Sequence, residues 1–391
     1  MEEVVIVSAV RTAIGKFGGT LKDINSGKLG AIVVEEAVKR AGIAADMVDE
    51  VVLGEVRQSS ESSNAARVAA LRAGIPDTAT AFTINRLCGS GIQAIASGVQ
   101  QLIFKQADVV VAGGIENMSR APIYLRNTRF GEGNPIIVDS NLENGQQPME
   151  IWGNLGMGMT AENVAERYGI PRETQDAFAL LSQQKAAKAI KEGRFKEEII
   201  PVEVKQKKGT IIFDTDEFPR ETSMEKLSAL KPVFNQGGTV TAGNACGRND
   251  GATAMVLMTR SKANELGLKP MAKILDWAVA GISPDVMGLG PVPAVKKLLK
   301  RTGMKMDDFG LIELNEAFAA QALGVVQDLN IDQEKLNVNG GAIALGHPVG
   351  ATGARITTTL LYQMQRQQET YGLATLCIGG GQGMAIAIEL L

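Results

Sequence analysis

Three side chains in this sequence are suited to nucleophilic carbon chemistry, and the chain holds them far apart. Cys88 lies in Asn85-Arg86-Leu87-Cys88-Gly89-Ser90-Gly91, the single histidine in Gly346-His347-Pro348, and Cys377 in Cys377-Ile378-Gly379-Gly380-Gly381. A thiol attacks well only once a base has taken its proton. With one imidazole available, a Cys88–His347 pair requires the fold to span 259 residues (347 minus 88). Cys88 stands where a loop is predicted to open a helix. Free backbone N–H groups and the positive end of the macrodipole favour a thiolate there and can stabilise a nearby oxyanion. The expectation is a lowered thiol pKa. Gly89 and Gly91, just after Cys88, leave a substrate carbonyl free to reach those amides. His347 sits in a tight Gly/Pro loop within residues 340–353, which fixes the ring. Cys377 ends an apolar run at bare backbone, and Asn315, in Asn315-Glu316-Ala317-Phe318-Ala319, is placed to orient a water.

The elements that must carry these groups are short. Apolar runs at 4–7, 51–53, 109–112, 311–314 and 374–378, most of them glycine-bounded, have the length of fully buried strands. Between them lie helical patterns, among them 29–41 and 91–105, the latter placing Ile92, Ile95, Ala96, Val99, Leu102 and Ile103 on one face. Strands alternating with helices predict an α/β architecture. A faint repeat accompanies the alternation. Asp49 to Gly54, Asn85 to Cys88 and Val109 to Gly114 are matched by Asp308 to Glu313, Asn339 to Gly341 and Leu376 to Gly380. Two copies of one βαβ-rich unit, packed face to face, would bring their glycine loops to a shared edge. Residues 118–250 differ in texture, with amphipathic patterns over 160–168 and 172–191 and then charged, proline-containing sequence, and are expected to be an insertion carrying substrate contacts. The basic run Lys205-Gln206-Lys207-Lys208 reads as a solvated face. Gly379-Gly380-Gly381-Gln382-Gly383 is no dinucleotide loop, because residues 384–388 read as a strand rather than a phosphate-capped helix.

Composition narrows the function classes. The chain has 391 residues with net charge −3, so no basic field points to nucleic acid or an anionic membrane. Glycine is abundant (44) and aromatics are 4%, which predicts a core of small aliphatic side chains with close backbone approaches. Three cysteines without CxxC spacing give neither a disulfide framework nor a zinc site, and a reducing cytoplasm is the expected compartment. The acidic start Met1-Glu2-Glu3 is unlike a signal peptide, and no stretch has the apolar length of a membrane span.

Taken together, the patches resemble the thiolase family. Asn85 to Gly91, Asn315-Glu316-Ala317-Phe318, Gly346-His347-Pro348 and Cys377-Ile378-Gly379 match its four active-site motifs in order. The likeness runs from Arg11-Thr12-Ala13-Ile14-Gly15-Lys16 through Val240-Thr241-Ala242-Gly243-Asn244 to the C-terminus. It implies a five-layer αβαβα fold of two related halves, divided as 1–268 and 269–391, with a loop domain inserted at about 118–250 of the first half. It also implies a dimer or, more usually, a homotetramer built as a dimer of dimers. By the same resemblance Cys88 is the nucleophile that carries the acyl group. His347 activates it and binds a thioester oxygen with a water held by Asn315. Cys377 moves the second proton, and the backbone N–H groups of Cys88 and Gly379 form the other oxyanion hole. Arg220 and Cys246 are expected against coenzyme A. No bound cofactor is implied, since coenzyme A thioesters are the substrates. Gly156-Met157-Gly158-Met159 before Thr160-Ala161-Glu162-Asn163 lacks the loop histidine usual in acetoacetyl-specific members. The chain therefore looks more like the broader 3-ketoacyl-CoA thiolases. A strict acetoacetyl-CoA thiolase and a non-catalytic acyl-CoA carrier are the alternatives.

Overall fold

A computed structural model describes residues 2–207 and 209–391. The first half runs β1 (Val4–Thr12), α1 (Ser26–Ala41), β2 (Glu50–Gly54), α2 (Ala65–Arg72), β3 (Thr80–Ile84), α3 (Ser90–Ile103) and β4 (Val109–Asn117). The chain then departs and returns as β5 (Asn249–Thr259). The second half runs β6 (Ala272–Gly281), α4 (Pro291–Thr302), β7 (Leu311–Leu314), α5 (Ala319–Leu329), α6 (Val349–Gln367), β8 (Tyr371–Ile378) and β9 (Gln382–Leu390).

The strand order is the same in both halves. The first sheet runs β3-β2-β4-β5-β1, with β2 parallel to β3 and β4 and the remaining ladders antiparallel. The second runs β7-β8-β9-β6, again parallel and then antiparallel. Its counterpart of β3 has shrunk to one parallel bridge, Ile312 to Leu336. The starts of β2 and β4 lie 59 residues apart (109 minus 50), and those of β7 and β8 lie 60 apart (371 minus 311). The repeat expected from the sequence is therefore a repeat of topology. At one edge the pairs Val5–Lys273 and Ile6–Ala272 join the two sheets.

Period-2 alternation sorts side chains into layers. On β4, Val109 and Val111 face a core shared with α1 and α2, while Val110 and Ala112 face the centre. On β9, Met384, Ile386 and Ile388 face the centre, and Ala385 and Ala387 pack toward α4 and α5. The central core is built from α3 and α6 between the two sheets, giving helix, sheet, helix, sheet, helix. Each fully buried Val, Ile or Leu in it contributes about 1.5–3 kcal/mol.

The segment between β4 and β5 includes helices Met157–Tyr168 and Arg172–Lys191 and two short antiparallel ribbons. Its base is tied to β1 by Arg11, which is fully buried, donates to Glu198 at 2.6 Å and to Asp216 at 2.7 and 3.0 Å, and lies over the Phe195 ring. Breaking such a buried pair leaves an uncompensated charge and costs about 3–5 kcal/mol. Of the basic run, Lys205, Gln206 and Lys207 are exposed at one of the ribbons, and Lys208 lies outside the described residues. Among the described residues no helix is long and apolar enough to cross a membrane.

Candidate active site

The two chemistry-bearing loops meet because the helices behind them pack backbone to backbone. Cys88 precedes α3 and His347 precedes α6. A Cβ on Gly91 would run into the Ala354 amide, and one on Gly353 would stand 2.6 Å from the Ile92 nitrogen. Only glycine at both positions lets the helices approach this closely, and the approach brings their N-terminal ends to one seam.

Cys88 is half-buried. The residue before it, Leu87, adopts a left-handed backbone (φ 47°), a strained choice for a side chain of this size. Surrounding bonds enforce it: Asn85 Oδ1 accepts from the Leu87 N–H at 2.9 Å, and Ser90 Oγ accepts from Arg86 N–H and donates to the Leu87 carbonyl. The Cys88 loop packs on the glycine turn of the other half, a Cβ on Gly89 standing 2.5 Å from Ile378 Cδ1, and the backbone N–H groups of Gly379 and of Cys88 itself act to lower the thiol pKa. The nucleophile of one half thus rests against the glycine turn of the other. In one respect the structure corrects the expectation from sequence. Burial outweighs those donors and pushes the thiol up to about 11, with nearby Glu116 adding to the rise. At rest Cys88 is a thiol.

The His347 amide donates to Asn249 Oδ1 at 2.9 Å, and the Asn249 side-chain amide donates to the Gly15 carbonyl. Gly346 (φ 102°) lies against the Asn249 side chain, where a Cβ has no room. The ring is buried, its Nδ1 2.6 Å from Thr352 Oγ1. Burial, with the Arg355 cation, pulls its pKa down to about 3. The resting partners are therefore a neutral imidazole and a neutral thiol.

Cys377 sits near the end of β8, buried among Ala161, Val240, Ala245, Met287, Ala317 and Phe318, with Met157 and Cys246 packed on the same cluster. Burial, then the neighbouring Cys88 and Cys246, raises its thiol well above the ordinary value. Cys246 donates its N–H to the Ala317 carbonyl at 3.0 Å, and burial and Cys88 push its thiol to about 12. All three cysteines consequently share one neighbourhood, a closeness that spacing did not reveal for Cys246.

Asn315 follows β7 and its N–H donates to the Thr375 carbonyl at 3.0 Å. Its side chain is buried, yet among the described residues neither Oδ1 nor Nδ2 has a partner. A buried amide with four open valences is built for water. Its neighbour Glu316 is a positioning group. It accepts from Ser182 Oγ (2.7 Å), Asn337 Nδ2 (2.8 Å) and the Ile343 N–H (3.2 Å), which pins the loop leading to His347. Glu116 does the same for the start of α6, accepting from the N–H groups of Val56, Arg57 and Gly350. No sequence signal separates these carboxylates from surface acids; only their apolar flanks hint at burial.

Arg220 lies farther out. It is exposed, donates to the Ala242 carbonyl at 2.6 Å and lies 5.8 Å from the Phe218 ring, which in turn fills the space beside Gly247. It thus flanks the loop that carries Cys246.

Comparison with known proteins agrees with this geometry along the whole chain. Residues 4–261 match the family model of the thiolase N-terminal domain, and residues 268–390 that of the thiolase C-terminal domain. The acetyl-CoA acetyltransferase of Syntrophomonas wolfei is 52% identical, with 100% of this chain and 99% of that protein aligned. The crystal structure of the Bacillus anthracis acetyl-CoA acetyltransferase superposes with a TM-score of 0.97 at 47% identity, covering 100% of this chain and 99% of that one. Human mitochondrial 3-ketoacyl-CoA thiolase in complex with CoA superposes at 0.95 and 43% identity, covering 100% and 98%. A glycine seam that joins the loops of two repeated halves, together with full-length similarity of this kind, places the chain in the thiolase family.

Proposed function

We propose that the chain is an acetyl-CoA C-acyltransferase that cleaves 3-ketoacyl-CoA with CoA and runs the reverse Claisen condensation. The observation that carries this reading is the Cys88 loop packed on the glycine turn of the other half, where a Cβ on Gly89 would stand 2.5 Å from Ile378 Cδ1 and one on Gly379 3.1 Å from Leu87 Cδ1. A nucleophile packed beside the donors that its own oxyanion will need is prepared for attack on a carbonyl.

In thiolysis the Cys88 sulfur attacks the 3-keto carbon while His347 takes the thiol proton. Negative charge gathers on the ketone oxygen, which moves onto the N–H groups of Cys88 and Gly379. As that oxyanion collapses, the C2–C3 bond breaks and leaves the enolate of acetyl-CoA. The Cys377 thiol gives C2 a proton, while His347 and the Asn315 water steady the thioester oxygen. CoA thiol then loses its proton to Cys377 and attacks the Cys88 thioester, and the departing sulfur regains its proton from His347. Two thiols and one imidazole close the proton balance. Both cysteines rest protonated, so charge appears only as bonds change.

Arg220 and Cys246 line the approach of coenzyme A in this reading, Cys246 toward the reacting end. Gly156 in place of a loop histidine favours the broader 3-ketoacyl-CoA range over a strict acetoacetyl-CoA thiolase, and fatty acid metabolism is the context this range suits. The domains divide at about 268/269, with the loop domain at about 118–250. A homotetramer is supported by the ribbon of Ile123–Arg126 and Ile136–Asp139, whose Ile123, Leu125, Ile136 and Ile137 are 69, 58, 50 and 75% exposed. Such an apolar ribbon calls for a partner.

Intact-mass spectra after mixing with acetyl-CoA test the reading. One added acetyl group is expected, lost in Cys88→Ala, and no adduct on the unaltered chain would sink the proposal. Thiolysis rates for acetoacetyl-CoA and a longer 3-ketoacyl-CoA decide chain length; a preference for the short substrate by orders of magnitude selects the strict enzyme.

A further inference from the structure

A neutral imidazole has one N–H and one lone pair, and which nitrogen holds which decides whether it can act as a base toward a given neighbour. His347 is the only histidine in the chain. Its backbone N–H is held by Asn249, and the nearest polar contact of its ring is Thr352 Oγ1, 2.6 Å from Nδ1. Thr352 is fully buried one turn into α6, and its hydroxyl has a single proton. That proton has a carbonyl to go to: Pro348 O lies 2.9 Å away, four residues back along the helix, where threonine hydroxyls commonly bond. What remains on Oγ1 facing the ring is a lone pair, and a lone pair requires Nδ1 to carry the hydrogen.

We infer that Thr352 is a positioning residue that fixes the tautomer of His347, placing the proton on Nδ1 and leaving Nε2 as the lone-pair nitrogen. This rests on His347 acting as the base for Cys88. The same nitrogen then serves twice: Nε2 accepts the thiol proton during attack, and as Nε2–H it donates to a thioester oxygen. With the opposite tautomer Nε2 could donate at once but could not accept, and the first proton transfer would lack a base. Helix α6 thus selects the protonation pattern of the residue just ahead of it through one hydroxyl.

The single histidine makes the test direct, because ¹⁵N-histidine labelling yields one imidazole to observe. A two-bond ¹H–¹⁵N correlation spectrum of the intact protein at neutral pH should show Nδ1 protonated and Nε2 unprotonated. Thr352→Val should give a tautomer mixture and lower kcat/KM for thiolysis by about 10²–10⁴-fold, the span between losing a placed base and holding it in the wrong tautomer. Thr352→Ser, which keeps the hydroxyl, should restore the Nδ1–H spectrum and most of the rate. A proton on Nε2 in the unaltered protein overturns the inference, whether or not the variants fold. So does Thr352→Val with an unchanged spectrum or a rate within twofold, and so does a rate loss that Thr352→Ser shares. If Cys88 takes no acetyl group, the thiolase mechanism fails separately, since the spectrum reports the tautomer without turnover.

Discussion

Gly353→Ala puts the seam between α3 and α6 under direct test. The added methyl would stand 2.6 Å from the Ile92 nitrogen and 2.9 Å from Ile92 Cγ1. Non-bonded heavy atoms settle at about 3.5 Å or more, so the helices must part by about 0.9 Å at this point. Overpacking of this kind costs about 1–3 kcal/mol of stability. The larger effect is on aim. Cys88 and His347 stand just ahead of the two displaced helices, and a misplacement of about 1 Å costs about 10²-fold in rate. That fold-change corresponds to about 2.7 kcal/mol of lost transition-state stabilisation. Thiolysis of acetoacetyl-CoA followed under saturating and limiting substrate should show kcat down by about 10²-fold with KM nearly unchanged. Gly98→Ala is the control. It lies on α3, the other helix of the seam, but its methyl meets the side chains of Val110 (3.0 Å) and Leu257 (3.2 Å), which can yield. It should lose some stability and keep its rate. If Gly353→Ala melts earlier yet turns over within twofold of the unaltered enzyme, the seam does not aim the pair and the account of the site is wrong.

Cys377→Ala should still be acetylated at Cys88, slowly, and should lose condensation of acetyl-CoA; condensation at the normal rate would remove Cys377 from its role. Glu313 is buried beside Arg355, and burial lifts its carboxyl from 4.5 to about 8, with Arg355 opposing the rise. The folded chain then holds a proton that the unfolded chain has released, so this stabilisation is complete below about 4.5 and lost as pH rises through about 8. Melting temperatures should accordingly shift in favour of Glu313→Gln relative to the unaltered protein between acidic and mildly alkaline buffer, and a constant difference would contradict the raised carboxyl. Ile137→Lys should lower the assembly state seen by light scattering while leaving Cys88 acetylation intact; an unchanged mass would clear the exposed ribbon of any part in assembly.

Much of this architecture was legible in the residues, for identifiable reasons. The predicted span 172–191 matches the helix Arg172–Lys191, because an uninterrupted helical pattern runs between Pro171 and Gly193. The runs at 51–53 and 109–112 lie within β2 and β4, since central strands buried on both faces read as continuous apolar sequence. β5 and β6 escaped that reading. β5 opens on Asn249-Asp250-Gly251, and β6 carries Lys273, Asp276 and Trp277 along its length. The third strand of the second half could not be found at all, having become a single bridge at Leu336. At the site, Cys88, His347 and Cys377 stand out by residue type next to or near glycine, and Asn315 by its place at the end of an apolar run. Their supports do not, because Glu116, Glu316 and Asn249 acquire meaning only from partners distant in sequence, and Thr352 only from the direction in which the nearby His347 ring turns. The direction of the Cys88 pKa was misread for a related cause. A helix N-terminus is visible in a sequence, whereas the depth of burial that overrides it is not.

The division of labour between the halves constrains how this chain can change over generations. Each repeat supplies one member of the working pair, and their alignment depends on two glycines that meet across the middle, Gly91 and Gly353. Drift on the outward helices is absorbed locally, but at the meeting line an added methyl in one copy is felt by the other. The duplicated units are therefore free to diverge everywhere except along the line where they touch, and there they must be inherited as one.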